Sequence, residues 1–179
     1  GDPDLAREVV AGAGLDPEAV RLEVQAGSTL AARAGNAVTH LLREEGADTA
    51  AVLDPTAPLL DRTVVDSAAM KLRSDGAVLG PDAAGGVYFA GFADTIDFAD
   101  AYAPPALRTL ARRAAGAGLG VGFLRQLTAV RTGDDLRAAV AGIEARRVAG
   151  RPVPAETAAR LDDLGVGVEG EALVRTDSS

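Results

Sequence analysis

Between Gly76 and Phe92 the sequence reads GAVLGPDAAGGVYFAGF. Two short apolar runs without alternation, GAVLG and VYFAGF, suit strands buried on both faces of a sheet. The loop between them carries Gly80-Pro81 and Gly85-Gly86, and glycines at such a place let backbone approach a ligand. Gly85 and Gly86 are therefore candidate ligand-contacting positions. Strands buried on both faces need helices to cover the sheet.

The rest of the chain supplies them. DPDLAREVVAGAG reads as a short helix with Asp2 as N-cap and Pro3 in its first turn. VRLEVQ (20–25) alternates apolar and polar residues as a half-buried strand does. A helix follows from Thr29 to about Glu45, then the short buried strand TAAVL (49–53). Further helices open near Asp61, after Pro104-Pro105, and at Thr132, where Thr132 and Asp135 have capping-box spacing. LGVGFL (119–124) is strand-like. Strands alternating with helices of this length specify an α/β fold with a mostly parallel sheet. Residues 1–150 read as one domain; 151–179 read as an extension with one short helix (155–164) and a polar end, RTDSS, that frays.

Composition narrows the function classes. Aromatic residues make up only 3% of the chain, so its core is built of Ala, Val and Leu. A net charge of −8 without a Lys/Arg cluster disfavours nucleic acids and anionic membranes as partners. No cysteine is present, which excludes disulfides and thiolate metal sites. No apolar run approaches the roughly 20 residues of a membrane span, and the first residues lack the pattern of a signal peptide. The expectation is a cytoplasmic protein.

Four segments in order resemble the DUF2064 family of glycosyltransferase-A-like (GT-A) proteins, related to CofC- and MobA-type nucleotidyltransferases. They are VQAGSTLAAR, AAVLDPTAPLL, AVLGPDAAGGVYFAGF and AGLGVGFLRQLTAVRTGDDL. The resemblance implies a three-layer, Rossmann-like, nucleotide-diphospho-sugar transferase-like fold. It also implies a pocket touching Gln25, Arg33, Thr56, Gly85, Gly86 and Arg131. In that family acids at strand ends hold Mg²⁺ on a nucleotide, as a hard cation with oxygen ligands requires. Here the matching positions are Thr56, Ala84, Ala129 and Arg131. The family's first strand and its basic KTRL-type loop have no counterpart, so the expectation is either a fragment of a longer protein or a sheet completed by a second copy or a partner chain.

Those substitutions lead to an expectation of a scaffold without metal-dependent transfer chemistry and without a cofactor. Such a domain would act in binding or assembly, with Arg131 gripping a nucleotide or another small anion by paired hydrogen bonds. Alternatively, Arg131 is a loop arginine in a surface ion pair. An active Mg²⁺-dependent nucleotidyl- or glycosyltransferase would need Asp54 or Asp82 as non-standard catalytic ligands, or Asp134, or a separate N-terminal segment. Asp54 and Asp82 each lie two residues before the lost acid, roughly 6–7 Å along extended chain, and read as ordinary turn acids. His40, the single histidine, reads as solvent-facing and without a second ligand. Ser28 and Thr29 read as helix caps.

Overall fold

A computed structural model of the chain describes residues 3–175. Asp2 and the last four residues of the RTDSS end lie outside the described residues. Helix α1 spans Pro3–Gly12 and is followed by a 3-10 turn, Pro17–Ala19, capped by Asp16. Helix α2 (Leu30–Thr39) starts where expected. Thr29 Oγ1 accepts the N–H of Ala32 at 3.1 Å, satisfying one of the orphan donors of the first turn. Its last turn is not α-helical. His40–Glu44 form a π turn, closed by the Glu45 N–H donating to the His40 carbonyl at 3.2 Å.

The central sheet is built from β1 (Ala50–Leu53), β2 (Ala77–Pro81), β3 (Val87–Phe92) and β4 (Val121–Phe123) in the order β1-β3-β2-β4. β3 runs antiparallel to both β1 and β2, and only β2 and β4 are parallel. The sheet is therefore mixed and not mostly parallel. The reason is visible in the loop: five residues, 82–86, separate β2 from β3, whereas a parallel return needs a crossover of a dozen or more. VRLEVQ forms no strand either. Val24 is 76% exposed, and alternation without a sheet face to bury against does not make a ladder.

The two sheet faces bury different sets of residues. On one, α2 and α4 (Ala106–Gly116) pack Val38, Leu110 and Ala114 against Ala77, Leu79, Ala90 and Phe92. On the other, α3 (Arg62–Leu72) brings Val64, Ala68 and Leu72 onto Val78, Tyr88 and Phe89. Strand alternation would send Tyr88 and Phe89 to opposite faces. A bulge prevents it: Gly80 pairs with Phe89 and Pro81 with Val87, leaving Tyr88 as the extra residue. Tyr88 thus joins Phe89 in the α3 cluster, where its hydroxyl donates to the Arg125 carbonyl at 2.7 Å.

Helix α5 (Gly133–Val148) buries Ala139, Val140 and Ile143, and its N-terminus carries the expected Thr132–Asp135 capping box. Beyond Gly150 come α6 (Ala155–Asp163) and an antiparallel hairpin, β5 (Val166–Glu169) with β6 (Ala172–Arg175). The hairpin adds to the single helix read from the sequence. Its signal is the two-residue Gly170-Glu171 turn between VGVE and ALVR, with Gly170 at φ 58°. No helix among the described residues is long and apolar enough to cross a membrane.

Candidate functional site

A cleft of about 450 Å³ opens at the end of β1, between Leu53-Asp54-Pro55, the loop 84–86, the segment 102–106 and Arg131. Its lining is mainly apolar, with Leu30, Val52, Val87, Pro104 and Pro105 forming the walls. Asp54, Gly85, Gly86 and Arg131, all singled out from the sequence, reach it. Gln25 and Arg33 are not among the lining residues, and neither is Thr56.

Polar order at the mouth centres on Arg131. One terminal nitrogen donates to Asp82 Oδ2 at 2.5 Å and the other to Asp54 Oδ2 at 2.6 Å. The two acids read as unrelated turn residues therefore converge on one guanidinium. Backbone separation misled the sequence argument, because each carboxylate folds forward over its own turn. Asp54 Oδ1 accepts the N–H of Thr56 at 2.9 Å and its hydroxyl at 2.7 Å. Asp82 Oδ1 accepts the N–H groups of Ala84 at 2.9 Å and Gly86 at 2.7 Å. These are side-chain turns of the kind Asp favours, built over two of the four positions where an acid is missing, Thr56 and Ala84. Arg131 is in turn placed by α5. The Asp135 carboxylate that caps this helix also accepts the Arg131 N–H at 3.1 Å, and the Val130 N–H reaches the Thr56 carbonyl at 2.8 Å.

Burial is graded across this arrangement. The Asp82 side chain is 2% exposed, that of Asp54 23% and that of Arg131 43%. Asp82 is the only buried charged residue among the described residues. A buried carboxylate is tolerated when paired and hydrogen-bonded, and Asp82 has both. Burial works to raise the Asp54 carboxyl, but the hydrogen bonds from Thr56 and Arg131 outweigh it and hold Asp54 below its ordinary value. The Asp82 hydrogen bond, against the cost of burial, holds the Arg131 guanidinium more firmly charged than usual.

The glycines around the site serve the chain more than a ligand. A Cβ on Gly86 would sit 2.4 Å from Asp82 Oδ2, and one on Gly80 would sit 2.5 Å from the Tyr88 ring. Gly85 differs: φ is +80° there, a left-handed conformation glycine adopts without strain, and a Cβ would meet only Pro105 at 3.8 Å. Of these three, only Gly85 faces open space in the cleft. Tyr102, not anticipated from the sequence, also lines the cleft; its hydroxyl is buried without a hydrogen-bond partner, and burial raises its pKa.

Residues 2–104, more than half the chain, match the family profile DUF2064, an uncharacterized protein conserved in bacteria. The chain belongs to the DUF2064 family. Among curated proteins none matches it in sequence. A crystal structure from Desulfovibrio desulfuricans G20, of a protein provisionally called a nucleotide-diphospho-sugar transferase, is similar with a TM-score of 0.70 at 22% identity. The similarity covers 91% of this chain and 71% of that one. The shared fold is thus transferase-like, and α/β with a mixed sheet in this DUF2064 member.

A magnesium ion of the kind the resemblance implies does not fit these residues. Mg²⁺ is held by one or two carboxylates together with phosphate oxygens and water. Thr56, Ala84 and Ala129 offer no carboxylate, and Ala129 is buried. The two acids that do converge already share a cation, Arg131, whose charge a metal would have to displace.

Proposed function

We propose that this DUF2064 domain keeps the three-layer, Rossmann-like GT-A scaffold of a nucleotidyl- or glycosyltransferase but has lost metal-dependent transfer, and that it acts as a binding or assembly module. The observation that carries the reading is the Arg131 guanidinium clamped between Asp54 and Asp82. A fixed cation in that position supplies one positive charge and no open coordination positions. It cannot take up the negative charge that develops on a leaving phosphate as a metal with exchangeable ligands does.

The trio of Arg131, Asp54 and Asp82 carries a formal charge of −1. Arg131 therefore has little left to offer an anion, contrary to the idea of a phosphate gripped there by both terminal nitrogens. The cleft beside it suits a small ligand that is largely apolar and uncharged.

A second reading has one observation in its favour. Asp54 and Asp82 do converge, so a cation that expelled Arg131 would find two carboxylates in place, and the domain would be an active transferase with non-standard ligands. Calorimetric titration of GTP and of a nucleotide sugar, with and without MgCl₂, separates the two. The preferred reading expects no magnesium-dependent heat; magnesium-dependent saturable binding would establish the alternative.

A further inference from the structure

A second carboxylate cluster lies away from the cleft, where the loop 20–28 meets the end of α2. The π turn creates it. Residues five apart on an α-helix point about 140° from one another, but the wider π turn brings them to within about 50°. His40 and Glu45 consequently share one side, with His40 Nε2 2.8 Å from Glu45 Oε1. Glu44 takes the other ring nitrogen, Nδ1, at 2.9 Å. Glu23 arrives from the loop, so that one donor atom from each of Glu23, His40 and Glu45 lies within 4.8 Å of the others. His40, read from the sequence as lacking a second ligand, has two.

The geometry points to a zinc-type divalent metal site formed by His40 Nε2, Glu45 and Glu23, with Glu44 orienting the imidazole through Nδ1. The donor chemistry selects the ion. Imidazole with carboxylates suits Zn²⁺, whereas Mg²⁺ prefers oxygen alone. Ligand atoms on tetrahedral zinc stand roughly 3.3 Å apart, a spacing these exposed, jointed side chains reach by small rotations. The Glu44–His40 contact is the carboxylate–histidine pairing that accompanies zinc-bound imidazoles and fixes their tautomer.

Arg21 now holds the cluster in metal-free form. Its Nε donates to Glu23 at 2.6 Å, and its two terminal nitrogens to Glu45 at 2.7 and 2.6 Å. Carboxylates flank both ring nitrogens of His40, and hydrogen bonding to Glu44 is the chief cause that raises its pKa. Metal binding would swing Arg21 aside. Three charges of −1 with a neutral imidazole and Arg21 sum to −2, which a divalent ion balances.

The chain helps the test, since it has one histidine and no cysteine. Tag-free protein is titrated with ZnCl₂ by calorimetry, and with Co²⁺ by visible absorption. The expected result is one ion per chain and tetrahedral cobalt bands. His40→Ala should abolish the cobalt bands, Glu45→Gln should weaken zinc by about tenfold or more, and Arg21→Ala should strengthen it. Circular dichroism confirms that each variant is folded. The absence of saturable zinc binding to the wild-type chain, or binding unchanged in folded His40→Ala, would overturn the inference.

Discussion

Arg131 and Arg21 do the same thing in two places: each guanidinium bridges two carboxylates from distant parts of the chain. At Arg131 the acids have hydrogen-bond partners besides the arginine. Asp82 is buried and held by two backbone N–H groups, and Asp54 by the backbone and hydroxyl of Thr56. At Arg21 the acids stand on exposed, flexible side chains, and Glu23 has no such backbone anchor among its contacts. The first bridge is part of the fold; the second is a surface latch with a histidine beside it. An arginine between two acids can close a pocket or leave one ready to open, and burial decides which.

The contrast gives the order of expected effects. Asp82→Ala removes the anchor of the 82–86 loop and leaves Arg131 with one partner. It should cost about 3 kcal/mol in urea unfolding, as breaking a buried pair does; a loss below about 1 kcal/mol would put the two bridges in the same class. Gly86→Ala forces a methyl against Asp82 Oδ2 and should cost about 2 kcal/mol by the same assay. Arg131→Ala strands Asp82 without its counter-charge, but water reaches the half-exposed arginine site. A loss of about 1–2 kcal/mol is expected. Arg21→Ala should leave the urea midpoint close to that of the wild-type chain, as loss of an exposed pair does.

Acid sensitivity sharpens the same distinction. The Asp54 carboxyl is depressed in the folded state, so its stabilising contribution is complete above the ordinary Asp value of 3.8 and is lost as pH falls through the lower folded value. Thermal melts should show Tm falling more steeply below about pH 4 in the wild-type chain than in Asp54→Asn. Parallel curves would mean that the Arg131 bridge contributes nothing.

Much of this fold is written locally. The apolar runs 50–53, 77–81 and 87–92, the Thr29 and Asp61 caps and the Thr132–Asp135 box all form as their residue types dictate. What sequence periodicity cannot carry is pairing. VRLEVQ alternates as a strand does yet finds no sheet partner, and the direction of β3 was legible only in the shortness of the 82–86 loop. The candidate site is legible to the same degree. Gly85 and Arg131 stand out by type, but the convergence of Asp54 and Asp82 depends on side chains turning over two separate loops. The Glu23–His40–Glu45 cluster depends on a π turn that no residue pattern announces.

The central claim is that a protein cation, Arg131, occupies the place where a transferase of this fold needs a metal. Manganese as a paramagnetic stand-in for magnesium tests it directly, in the His40→Ala background so that the other cluster cannot bind. Amide NMR signals of Ala84, Gly85 and Gly86 should stay sharp as Mn²⁺ is added. Selective loss of those three signals at substoichiometric Mn²⁺ would show that the ion displaces the guanidinium, and would contradict the account.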